Sequence, residues 1–196
     1  MSQVASIAPG VRRWTAWHEE WKEEVGSVAV ETDDGLVLID PIDPPLGLAR
    51  PDHVLLTVYW HDRDAGNFAS AQVWSSRRSA RPLHNRGVAV TQTVEDEPLP
   101  GGIVAFPTAR NGEVVYWLPQ QNAIVAGDVL LGAGAKPHAT ADALRLCPER
   151  WLGKASHADL RRTLHPLLDL PVQRVLVSHG KPVLRAGKRA LASVLA

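Results

Sequence analysis

The chain has almost no cysteine: Cys147 stands alone among 196 residues. A single thiol excludes an internal disulfide framework and a cysteine-rich zinc site. Any metal would therefore have to be held by His, Asp or Glu. Net charge is also missing, with 21 Lys and Arg against 21 Asp and Glu. Nucleic-acid binders need a basic face to neutralise phosphates, so no nucleic-acid partner is expected. No run approaches the roughly 18–20 apolar residues that cross a bilayer. The opening MSQVASIAPGVRRW lacks the basic-then-apolar order of a signal peptide. These absences lead us to expect a soluble, cytoplasmic protein with no membrane partner.

What is present suits a packed core. Hydrophobic residues make up 45% of the chain, and no low-complexity tract or Gly/Ser linker divides it. One domain over 1–196 is expected. Fifteen prolines and fifteen glycines predict many turns and short elements. Seven tryptophans against two tyrosines and two phenylalanines make Trp the main aromatic. Val11–His18 and the alternating Ser27–Glu31 read as strands. The turn Asp33-Asp34-Gly35 joins the second of these to Leu36–Ile39 as a hairpin. His53–Thr57, Val73-Trp74 and Arg86–Thr93 read as further strands, with Ala65–Ala71 as a helix. Ile103–Phe106, Val114–Leu118 and Ala123–Ala126 read as a β-meander. Ser156 and Asp159 form a capping-box pattern ahead of Leu160, Leu164, Leu167 and Leu168 at helical spacing. A strand at Arg174–Val177 and a helix from about Gly187 to Leu195 complete a layered α/β order.

Several apolar strands end in polar groups that a core does not need. Leu36–Ile39 ends at Asp40, and Ala123–Ala126 at Gly127-Asp128. Arg174–Val177 ends at Ser178-His179-Gly180, and His53–Thr57 leads to His61-Asp62-Arg63-Asp64. Strand ends in layered α/β proteins carry sites on a rigid scaffold. Carboxylates and imidazoles collected there suit a metal or an acid/base pair. Each group alone also has a plain role as a turn former or helix cap.

In their order and spacing these segments resemble the metallo-β-lactamase superfamily. The resemblance rests on Gly35–Asp40, His53–Thr57, Tyr116–Pro119 with Ala126–Asp128, and Val175–Gly180. It implies a four-layer αββα sandwich of two mixed β-sheets flanked by helices. The family's HxHxDH signature falls on Val58-Tyr59-Trp60-His61-Asp62-Arg63, so Val58 and Trp60 replace two first-site histidines. Neither side chain can ligate a metal. Ala109 takes the place of the third. Asp62, Asp128 and His179 match second-site ligands, and Arg63 replaces a fourth.

Two functional readings follow from this resemblance. In the first, the protein keeps the fold without the first metal site. It is not a standard dinuclear zinc hydrolase and holds no metal, with Trp60 filling the first site and Arg63 neutralising Asp62 and Asp128. In the alternative, Asp62, Asp128 and His179 hold one divalent ion, zinc first among them. The ion would serve a hydrolase of an ester, thioester, lactone or similar small molecule. Asp62 would then double as base, and His61 or Arg63 would stabilise developing negative charge. Both readings imply a small-molecule partner. His84 and His138 are expected on the surface, and Cys147 as a small buried hydrophobe. Trp14, Trp17 and Trp21 are expected to pack in the core or at an edge.

Overall fold

The computed structural model describes residues 4–196. Seven strands form the first sheet in chain order. They are β1 (Ala5–Ala8), β2 (Val11–His18), β3 (Glu23–Thr32), β4 (Gly35–Ile39), β5 (His53–Leu55), β6 (Gln72–Ser75) and β7 (Gln92–Thr93). The pairs from β1 to β4 are antiparallel and those from β4 to β7 are parallel. The second sheet comprises β8 (Val104–Pro107), β9 (Val114–Leu118), β10 (Ala123–Ala126) and β13 (Arg174–Val177), in the order β13-β10-β9-β8. β10 and β13 are parallel and the rest antiparallel, which places the expected meander in β8–β10. A small ribbon pairs β11 (Leu130–Gly132) with β12 (Leu144–Leu146). The helices are α1 (Arg77–Asn85), α2 (His157–Leu164) and α3 (Gly187–Leu195).

The period of two along each strand explains the layers. Val28, Val30, Val37, Ile39 and Leu55 face Tyr116, Leu118, Val125 and Leu176 across the inter-sheet core. Their neighbours point outward. Val115, Trp117, Ile124 and Val175 pack beneath Leu160, Leu164, Leu191 and Leu195 of α2 and α3. Val54, Leu56 and Val73 pack beneath Leu83 of α1. Central strands covered on both faces need apolar runs rather than alternation, which LVLI and AIVA provide. The outcome is the expected α/β sandwich of two mixed sheets with helices outside.

Three local expectations need correction. Ala65–Ala71 is not an α-helix, because only Ala65–Asn67 turns, as a 3-10 segment. Asp64, which should cap it, instead accepts from the Asp43 amide at 2.5 Å and from Asn67 at 3.1 Å. The first helix lies later, at α1, whose arginines and internal Pro82 hide it from a hydrophobic pattern. Of Arg86–Thr93, only Gln92–Thr93 joins the sheet. The capping box holds: Ser156 Oγ accepts from the Asp159 amide, and Asp159 accepts from the Ser156 amide at 2.9 Å. Trp14 is buried, whereas Trp17 is 53% exposed.

Two cross-sheet ties bring the strand ends together. Gly26 N–H donates to Ser178 O at 2.7 Å, and Val114 N–H donates to Thr57 O at 2.9 Å. The ends of β4, β5, β10 and β13 therefore converge at one rim of the sandwich.

The inter-sheet core sets a first prediction. Leu55→Ala removes a fully buried side chain from that layer and should cost about 2–5 kcal/mol. Leu46→Ala, at a fully exposed site, should change stability by less than about 0.5 kcal/mol. Urea unfolding of both variants checks the contrast.

Candidate functional site

Asp128 follows β10 and is the centre of the rim. Gly127 before it has no room for a side chain: a Cβ there would lie 2.6 Å from Thr57 Oγ1 and 2.8 Å from Glu113 Oε1. Glu113 Oε1 accepts from the amides of Asp128 and Val129, at 2.6 and 2.8 Å, and so fixes the turn. Both oxygens of Asp128 are engaged. Oδ1 accepts from His61 Nε2 at 3.0 Å and lies 3.0 Å from His179 Nε2, an ion-pair distance. Oδ2 accepts from Trp60 Nε1 at 2.8 Å and from Arg110 at 3.0 Å.

Each imidazole is backed by a second carboxylate. His61 Nδ1 donates to Asp40 Oδ2 at 2.8 Å, and Asp40 itself accepts from the Thr57 amide and hydroxyl. His179 Nδ1 lies 3.3 Å from Glu23 Oε2, an ion-pair distance without hydrogen-bond geometry. A ring held between two carboxylates keeps both protons. Burial pulls His179 down, but the bond to Asp128 and the pairing with Glu23 outweigh it and lift its pKa from 6.5 to about 9. His61 is likewise raised. Burial and Arg63 oppose its charge, and Asp40 and Asp128 overcome them. Burial also opposes ionisation of Asp128, yet the two imidazoles hold it well below the ordinary carboxylate range. Glu113 goes the other way, raised from 4.5 to about 7 by burial and by Asp128.

Of the residues read as ligands, Asp128 and His179 meet here and Asp62 does not. Arg86 takes Asp62 in a two-point pair, Nε to Oδ2 at 2.5 Å and a terminal nitrogen to Oδ1 at 2.9 Å. His61 occupies the third position instead. Among the described residues, His61, Asp128 and His179 form the one group whose ligand atoms could share an ion, all within 4.8 Å of one another. Arg63 does not pair with Asp62 or Asp128 either. It donates to the carbonyls of Gly26 and Asp40, at 3.2 and 3.0 Å, and to Ser178 Oγ at 2.8 Å. The guanidinium on Asp128 is that of Arg110. Arg110 also pairs with Glu113 at 3.2 Å and stacks over the Trp60 ring at 4.3 Å. Nothing in the spacing of Thr108-Ala109-Arg110-Asn111 marks this arginine. Glu113 left a weak signal, as a charge at the threshold of the apolar run VVYWL.

A cavity of about 720 Å³ opens above this floor. Trp21, stacked on His18 at 3.9 Å, overhangs both imidazoles. Trp60, Trp151, Arg110, Arg150 and Lys136 form other parts of its wall. His84 and His138 are exposed and outside it. Cys147 is buried, and its thiol is pushed up to about 12 by burial, so it is not a nucleophile.

The pKa values set the pH response. His179 binds its proton more tightly folded than unfolded, so its stabilisation is full below about 6.5 and is lost as pH rises through about 9. Glu113 acts in the same sense between 4.5 and about 7. Asp128 opposes them only in acid, where its contribution falls away below its ordinary 3.8. In metal-stripped protein, His179 alone should account for a loss of about 3 kcal/mol between pH 6 and pH 9. His179→Gln should flatten that slope. Urea unfolding across pH measures it, and equal slopes in the two proteins would contradict the assignment.

No known family profile matches the chain, and no curated protein matches it either. Solved structures do. A metallo-beta-lactamase from Pontibacter korlensis aligns over 100% of this chain and 99% of its own, at 18% identity and TM-score 0.68. A metallo-beta-lactamase from Erythrobacter litoralis aligns over 99% and 96%, at 16% identity and TM-score 0.71. The FIM-1 metallo-beta-lactamase from Pseudomonas aeruginosa, in its mono-zinc form, aligns over 99% and 94%, at 16% identity and TM-score 0.66. Sandwich topology, strand-end site and full-length superposition agree, and the chain has the metallo-β-lactamase fold.

Proposed function

We propose that this protein binds a small molecule in the cavity above Asp128 and does not run two-metal hydrolysis. One observation carries the reading: both oxygens of Asp128 are already engaged, by hydrogen bonds from His61, Trp60 and Arg110 and by the ion-paired His179. Charge balance supports it. His61, His179, Arg63 and Arg110 face Asp40, Asp128 and Glu23, with the pKa of Glu113 raised to about 7, so the floor needs no added cation. Val58, Trp60 and Ala109 offer no side-chain ligand for a first metal.

A second reading is favoured by the same two imidazoles. His61 Nε2, His179 Nε2 and Asp128 Oδ1 fit a single ion of the two-histidine, one-carboxylate type. Carboxylates behind both rings are what such ligands commonly have. A divalent ion bound there would supply an acidified water for hydrolysis. Its obstacle is protonation. An ion must displace the proton from His179, whose pKa of about 9 weakens binding at pH 7 by about 100-fold.

Equilibrium dialysis of metal-stripped protein against zinc at pH 7 separates the readings. The binding-protein reading expects no stoichiometric uptake at micromolar zinc. It also expects no turnover of ester, thioester or lactone substrates with zinc added. Stoichiometric uptake that Asp128→Ala and His179→Ala each abolish would overturn it in favour of the single-metal hydrolase.

A further inference from the structure

The rim of the cavity says more about the ligand than its floor does. We infer that the cavity takes a planar aromatic monocarboxylate, its ring against Trp151 and Trp60 and its carboxylate toward Arg150 and Lys136. This rests on the binding reading of the same cavity.

Some charges in the cavity are engaged by no other side chain among the described residues. Nine charged side chains line the cavity besides its histidines. Asp62 is spent on Arg86, Asp128 on Arg110 and two imidazoles, and Glu23 on His179. Arg63 is spent on carbonyls and a hydroxyl. Among the described residues, neither Arg150 nor Lys136 pairs with a carboxylate. Glu20 is the lining carboxylate that forms no ion pair among the described residues, and burial and Arg63 lower the pKa of His18. Two free cations against one free carboxylate leave room for a single negative charge. A dianion would overfill it beside Glu20, Glu23 and Asp62.

Shape supplies the second half. Trp151 adjoins Arg150 in the 3-10 segment Glu149–Leu152, so indole and guanidinium share one rim. Arg110 approaches both indoles, 4.3 Å from the Trp60 ring and 5.6 Å from the Trp151 ring. Flat groups thus already layer along this wall, and a flat ligand extends the layering. Lys136 lines the same cavity from the 133–138 loop. Its amide donates to Glu23 Oε1 at 3.1 Å, and its ammonium donates to Lys22 O at 2.6 Å, leaving two N–H groups free. The cavity, at about 720 Å³, lies within the range of small-ligand sites.

Titration of the full chain with 1-naphthoate, followed by calorimetry and tryptophan fluorescence in chelator, tests this. Saturable binding is expected. Neutral 1-naphthalenemethanol and non-aromatic cyclohexanecarboxylate should each bind about tenfold more weakly. Arg150→Ala, an exposed change, should weaken naphthoate by about fivefold with Tm unaltered, and Trp151→Ala should also weaken it. No saturable naphthoate binding, equal binding of the neutral alcohol, or indifference to both substitutions would each overturn the inference. Zinc uptake is read separately, so a metal-binding chain that still selects naphthoate would sink only the metal-free reading.

Discussion

Everything at the rim depends on the carboxylate of Asp128 and on how its negative charge is met. A buried carboxylate is costly unless protons, cations or donors surround it. In this chain two imidazoles, an indole and a guanidinium do so, and each is held in turn. Asp40 and Thr57 hold His61, Glu23 faces His179, and Glu113 holds Arg110 and the turn itself. The residues come from the ends of β4, β5, β10 and β13, from the β8–β9 connection and from the start of β3, and the cross-sheet ties hold these segments together. The fold thus supplies a preorganised polar centre, and the side chains decide what occupies it.

Trp60 and Arg110 work together beside Asp128. Trp60 alone would leave an indole N–H and a face to be satisfied. Asp128 accepts the first and Arg110 covers the second. Arg110 alone would be a cation beside histidines, and Asp128 and Glu113 offset it. The two residues form one unit, and neither is interpretable alone.

Much of the architecture was legible in the sequence because it rests on local patterns. Apolar runs marked strands covered on both faces, the Ser156–Asp159 box marked α2, and Asp-Asp-Gly marked the β3–β4 hairpin. Asp128 and His179 stood out as polar groups at strand ends. Their partners did not, because pairing is a tertiary fact. Asp62 looks like a ligand in its motif, yet Arg86 on the far side of α1 claims it. His61 was legible as a candidate to stabilise developing charge, but not as a partner of Asp128, because only the turn after Thr57 swings its ring under that carboxylate. Arg110 and Glu23 lie in stretches without periodicity, where spacing carries no information. The helix α1 was concealed for a related reason, as few of its residues are apolar.

The most direct test of the account is the protonation of the two buried rings. Nitrogen-15 spectra of the histidine side chains, recorded at pH 7 with micromolar zinc present, report it. The account predicts that His61 and His179 are both imidazolium, with zinc leaving their resonances unmoved. Neutral rings whose Nε2 resonances shift on zinc addition would contradict it, because Asp128 would then share a metal rather than two protons.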